Sequence, residues 1–102
     1  MTIYARVTTD EIVLEDALAR VKSPDHGAID LFVGVVRNNH NDKAVSGMTY
    51  DAHEKLAEKS FTDICREAMG MWPDTRYAVL HYQGELPVGG TSIVIAVSSP
   101  HR

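Results

Sequence analysis

The chain has 102 residues, of which 44% are hydrophobic and 24% charged, the make-up of one ordinary globular domain rather than a disordered or fibrous chain. Its formal net charge is -4 and no basic stripe stands ready to neutralise a run of phosphates, which argues against nucleic acid as the main partner but not against a small anion. No apolar run approaches the ~20 residues of a membrane helix. The single cysteine cannot close an intramolecular disulfide and the first residues do not resemble a charged-then-apolar secretory signal, so the expected compartment is cytoplasmic.

In chain order, residues 3–8 alternate apolar and polar side chains as a half-buried strand does. Thr8 and Glu11 have the spacing of a capping box, and Leu14, Ala17, Leu18 and Val21 follow at helical intervals. The turn-rich stretch 22–27 leads to residues 28–36, a short valine-rich run that reads as a buried strand. That strand stops at Arg37-Asn38-Asn39-His40-Asn41, a donor-rich pentad with little reason to enter a core. A rigid strand thus delivers a guanidinium and an imidazole to a loop, where a scaffold usually carries its chemistry.

Residues 47–52 are expected to form a further strand. From Glu54 the period changes: Ala57, Phe61, Ile64, Cys65, Ala68 and Trp72 form an apolar stripe over a helix that ends by Trp72-Pro73. Residues 76–82 and 91–98 are two more strands, joined by a glycine-bounded loop over 83–90 that favours antiparallel pairing. The order β-α-β-β-α-β-β predicts a single α+β domain, with helices on one face of a mixed, largely antiparallel sheet.

Two cationic groups stand out. Arg37, with His40 beside it, offers a fixed fork of donors suited to phosphate or carboxylate. His101-Arg102 is a second cationic pair at the end of a strong strand, and two such pairs in an acidic chain point to a local anion site. Phe32 is close enough to the Arg37 loop to border its pocket. The run 84–91 has the glycine spacing of a phosphate-binding P-loop, yet glycine replaces the essential lysine and a strand follows, so that motif is rejected. The five histidines lack metal-ligand spacing, and no metal or cofactor is expected. Cys65 sits within the apolar stripe and reads as a small buried hydrophobe rather than a nucleophile.

Several blocks together resemble a known family. Gly27-Ala28, then Phe32-Val33-Gly34-Val35-Val36-Arg37-Asn38 to Asn41, then Tyr50 and Leu56-Ala57-Glu58-Lys59, are similar to the catalytic (large) subunit of molybdopterin synthase. His81 with Gly84-Glu85-Leu86-Pro87-Val88-Gly89, and Ser98-Ser99-Pro100-His101-Arg102, extend the likeness over almost the whole chain. The resemblance implies an α/β hammerhead-like fold and a homodimer that binds a small ubiquitin-like sulfur-carrier subunit on each protomer. It implies sulfur transfer from the carrier's C-terminal Gly-Gly thiocarboxylate to cyclic pyranopterin monophosphate, giving the molybdopterin dithiolene. Arg37, His101 and Arg102 match the family's catalytic, anion-binding positions, with His40 and Phe32 as further substrate-binding candidates.

The family continues past the His-Arg pair into a segment whose lysines are implicated in catalysis. Lys43, Lys55 and Lys59 do not match those positions. Residues 1–102 are therefore expected to be a family domain without its C-terminal part. The alternatives are a non-catalytic, dimeric carrier-binding module and, more weakly, a general binding domain for a small phosphorylated metabolite.

Overall fold

The computed structural model describes residues 2–40, 43–44, 47–50 and 53–102, with backbone alone at 39–40, 43–44 and 48–50. Its elements are β1 (Ile3–Thr8), α1 (Leu14–Val21), β2 (Ala28–Val35), β3 (Asn39–His40), β4 (Lys43–Ala44), β5 (Gly47–Tyr50), α2 (Glu54–Met71), β6 (Arg76–Tyr82), β7 (Gly84–Pro87) and β8 (Thr91–Ser99). Four strands form the main sheet in the order β1-β6-β8-β2. β1 runs parallel to β6, while β6–β8 and β8–β2 are antiparallel. The mixed, mostly antiparallel α+β fold expected from the periodicities is the fold observed.

β6 explains the layering. Tyr77, Ala78, Val79 and Leu80 are all buried, and successive strand residues point to opposite faces, so this central strand needs cover on both sides. On one side Ala17 and Val21 of α1, with Ile12, pack with Ala78, Leu80, Val94 and Ala96. On the other, Cys65 of α2, with Phe61 and Ala68 beside it, packs with Ala5, Tyr77 and Val79. The helices therefore lie on opposite faces of the sheet, not on one face as the element order suggested.

Other expectations need correction for local reasons. Thr8 and Glu11 form no capping box: α1 starts at Leu14, its N-cap Val13 makes no side-chain cap bond, and Thr8 Oγ1 instead accepts the Asp10 N–H at 3.0 Å. Glu15 and Asp16 in the first turn supply the favourable charge at that helix end. Ile64 and Trp72 leave the buried stripe of α2 and are exposed; Ile64 is rotated about 100° from Cys65, and Trp72 is the non-helical C-cap.

The stretch expected to be pure loop between β6 and β8 contains β7, which pairs antiparallel with β5 in a separate ribbon. Gly84, at φ 132°, turns the chain out of β6 into that ribbon. The expected strand over 47–52 is thus β5, and it pairs outside the main sheet; residues 51 and 52 lie outside the described residues. β3 and β4 make a second ribbon within the Arg37 loop.

The edges of the main sheet are β1 and β2. Thr2 and Thr8 give their carbonyls to Tyr77 N–H and Gln83 N–H, so the even-numbered residues of β1 turn toward β6 and Ala5 and Val7 turn outward. Those outward groups are occupied: Val7 N–H donates to Glu58 Oε2 at 2.9 Å and Arg6 Nη1 donates to Ala5 O at 2.8 Å. On β2 the Gly27 N–H bonds Pro100 O. By alternation Ala28, Asp30 and Phe32 then present their backbone groups to the free edge.

Candidate functional site

Arg37 follows directly on a clamped residue. Val36 is buried; its N–H donates to Gly90 O at 2.9 Å and its carbonyl accepts Gly89 N–H at 2.7 Å. Gly89 makes that clamp with φ at 85°, a backbone that costs other residues about 1–2 kcal/mol. The guanidinium of Arg37 is consequently exposed but carried on a fixed base. The side chain of His40 lies outside the described residues. Phe32 is 58% exposed in mid-strand, paired with Ile95 of β8, and lines neither of the two grooves at the end of β8.

His101 and Arg102 project from the end of β8, where Ser99 Oγ donates to His101 O at 2.6 Å. Two grooves meet there. One, of about 600 Å³, runs beneath the end of α2 between Met71, Trp72, Tyr77, Val97, Pro100 and His101, and most of these side chains are apolar. The other, of about 480 Å³, lies toward the β2 edge and is lined by Gly27, Asp30, Ser99, His101 and Arg102. His101 lines both, so an extended ligand in the apolar groove would end at a cationic pair.

The antiparallel register keeps the two cationic centres apart. Ala28 pairs with Ser99 and Val35 with Thr91, which puts Arg37 at one end of β2 and His101-Arg102 at the other. At about 3.3 Å per residue those ends are about 23 Å apart. Within one chain the expected anion site is therefore two half-sites.

A buried polar cluster behind the second half-site was not legible in the sequence. The His26 side chain is 2% exposed; its Nδ1 lies 2.7 Å from Ser98 Oγ and its Nε2 3.1 Å from Asp74 Oδ1. Ser98 Oγ donates its own proton to Val21 O at 2.6 Å, so it accepts from His26 and is no nucleophile. The cluster ties the loop before β2, the turn before β6 and the last strand to one another, next to the residues that carry His101 and Arg102. His26 read only as part of a turn, because its partners lie 48 and 72 positions away.

Cys65 is buried among Ala5, Tyr77 and Val79, and burial pushes its thiol above the ordinary range, consistent with a core role. The run 84–91 forms β7 and a turn into β8, with no helix N-terminus to hold a phosphate. Among the described residues no group of three His, Cys, Asp or Glu side chains is placed to hold a metal.

Comparisons with known proteins bear on the family and the fold. The family model described as MoaE protein matches residues 7–102. Molybdopterin synthase catalytic subunit 1 of Aedes aegypti is 40% identical over 100 residues, covering 97% of this chain and 64% of the relative. The human molybdopterin synthase catalytic subunit is 41% identical over 95 residues, covering 93% of this chain and 50% of the relative. The chain thus spans between about half and two thirds of the length of these relatives. Among solved structures, molybdopterin synthase from Staphylococcus aureus superposes with a TM-score of 0.91 at 30% identity, covering 96% of this chain and 72% of that one. With a family model matched over nearly its whole length and a solved relative of the same architecture, the chain belongs to the MoaE family.

Proposed function

We propose that this chain serves molybdenum cofactor biosynthesis as the large component of a molybdopterin synthase. Sulfur passes from the thiocarboxylated C-terminus of a small ubiquitin-like carrier to cyclic pyranopterin monophosphate, and the chain's task is to hold both anions while the transfer occurs. The observation that carries the reading is the delivery of cationic side chains from rigid strand ends. Arg37 stands on the Val36 clamp, and His101 and Arg102 stand where an apolar groove opens at the end of β8.

A thin, uncharged Gly-Gly tail ending in an anion suits such a groove, since the peptide fills it and the cations meet its terminus. Arg37 holds the substrate phosphate or the carrier carboxylate, with His40 and Phe32 as neighbours in that role. The sulfur nucleophile arrives on the partner, so buried Cys65 is not asked to react. Residues 1–102 act as one MoaE-type domain in a cytoplasmic enzyme, and the family's lysine-bearing segment supplies the remaining catalytic groups.

The test is sulfur transfer from thiocarboxylated carrier to cyclic pyranopterin monophosphate. Arg37→Ala is expected to lower the rate about 100-fold or more, the usual effect of removing a preorganised electrostatic donor, with an unchanged circular dichroism spectrum. Wild-type turnover in that variant would refute the assignment of Arg37. Carrier binding by the wild-type chain with no transfer at all would instead favour the non-catalytic module.

A further inference from the structure

We propose that His26 is a positioning residue for the His101-Arg102 half-site. Through Ser98 and the Gly27–Pro100 bond it sets where the two cations stand, and with them the grip on the carrier's C-terminal tail. The part that concerns the tail rests on the sulfur-transfer reading.

The two cationic half-sites are mounted alike but not equally firmly. Arg37 follows Val36, which two backbone bonds of 2.9 and 2.7 Å fasten to Gly90 and Gly89. His101 follows Pro100, which has no N–H to donate. Among the described residues the Pro100 carbonyl accepts one backbone bond, from Gly27 N–H at 3.2 Å, the long end of the usual range. That bond lies one residue beyond the paired Ala28 and Ser99 that close the strand ladder. A lone backbone bond at the end of a sheet opens readily unless something beside it is fixed.

His26 is the fixed neighbour. Its side chain is 2% exposed although Asp25 and Gly27 on either side are exposed. Nδ1 lies 2.7 Å from Ser98 Oγ and Nε2 3.1 Å from Asp74 Oδ1. Because Ser98 Oγ gives its proton to Val21 O at 2.6 Å, the hydrogen between Ser98 and the ring belongs to Nδ1. Both ring nitrogens are thus committed inside the protein, so His26 acts on a ligand only through other residues.

Those residues are consecutive. His26 holds Ser98, Gly27 holds Pro100, and Ala28 pairs with Ser99 between them. The approach is close: a Cβ on Gly27 would stand 3.1 Å from Pro100 O, tighter than ordinary van der Waals contact. Ser99 Oγ then donates to His101 O at 2.6 Å, which carries the fixed direction on to the cationic pair. Gly27, Ser99, His101 and Arg102 line one groove together, so a shift of this grip moves the cations relative to whatever lies there.

Carrier affinity, measured by titration calorimetry, tests the role. The probe is a ubiquitin-like carrier in its carboxylate form, either complete or lacking the C-terminal Gly-Gly. An asparagine amide can stand where Nδ1 stands and a glutamine amide where Nε2 stands. His26→Gln takes the donor from Ser98 Oγ and is expected to weaken binding of the complete carrier about tenfold, the scale of one hydrogen bond to a charged group, while binding of the shortened carrier stays unchanged. His26→Asn is expected to recover affinity to within about twofold of wild type. In a chain that already carries His101→Ala and Arg102→Ala, His26→Gln should change affinity less than about twofold, because a positioning effect vanishes with the groups positioned. Amide exchange at Gly27, followed by NMR, is expected to quicken in His26→Gln and not in His26→Asn.

Equal weakening for both carriers, or a tenfold effect that persists without His101 and Arg102, would make His26 a purely structural residue and overturn the proposal. Wild-type affinity in His26→Gln would overturn it too. A wild-type chain that binds the complete carrier no better than the shortened one would overturn the sulfur-transfer reading and the grip on the tail with it, while Gly27 exchange still decides whether His26 holds the strand end.

Discussion

Val7 and Glu58 are 51 positions apart in sequence, yet the backbone N–H of the first is capped at 2.9 Å by the carboxylate of the second. The bond fastens α2 to the sheet and occupies an edge group that another strand would otherwise use. Glu58→Ala is expected to lower stability by about 1.5–3 kcal/mol, the range for a hydrogen bond to a charged group, and to raise concentration-dependent association. Urea denaturation and light scattering measure the two effects; unchanged scattering at high concentration would show that Glu58 does not guard the edge.

His26 holds its two partners unequally. Ser98 is buried, whereas the Asp74 side chain is 71% exposed, so His26→Ala takes from a buried hydroxyl one of its two partners, leaving only its bond to Val21 O, while loss of the Asp74 charge is cushioned by solvent. His26→Ala is expected to cost about 1–3 kcal/mol and to speed hydrogen exchange at Gly27, whose N–H bonds Pro100. Asp74→Asn, which tolerates the φ of 60° found there, is expected to cost less than about 1 kcal/mol. Equal losses in the two variants would mean the cluster is held by the exposed end.

Two glycines should respond to alanine in opposite directions. Gly70 lies in α2 and an added Cβ meets nothing within 4 Å, so Gly70→Ala should stabilise by about 0.5–1 kcal/mol through helix propensity. Gly89 sits at φ 85° in the clamp on Val36, and Gly89→Ala should destabilise by about 1–2 kcal/mol. The Gly89 change should also lower any activity that depends on Arg37. Thermal melts of both variants against wild type give the signs directly.

Cys65 offers a pH test. Burial raises its thiol above the ordinary value, so the folded chain keeps a proton there that the unfolded chain gives up. Stability from this group is complete below the unfolded value, about 8.5, and declines as pH rises toward and through the folded one. Cys65→Ala should remove that part of the alkaline loss, at a cost in packing read at neutral pH. Native protein should react slowly with a thiol reagent at pH 8 and rapidly after unfolding; equal rates would contradict the burial of the thiol.

Local patterns in the chain were enough to identify both helices, the strands of the main sheet and the core role of Cys65. Strand alternation, helical spacing and turn residues act over a few positions, so they are written where they operate. The same local logic showed that a stiff apolar strand hands Arg37 to a loop and that another ends in His101-Arg102. Contacts between distant residues decided the rest. The placement of α1 and α2 on opposite faces follows from the double burial of β6, and β7 exists as a strand because β5 comes to meet it. The His26 cluster joins residues 48 and 72 positions apart. Most consequentially, the antiparallel register of β2 on β8 sets Arg37 and His101-Arg102 at opposite ends of one strand pair. Hydrophobic periodicity specifies which residues turn inward, but partner and direction are chosen by packing between segments far apart in sequence, which no short window of residues contains.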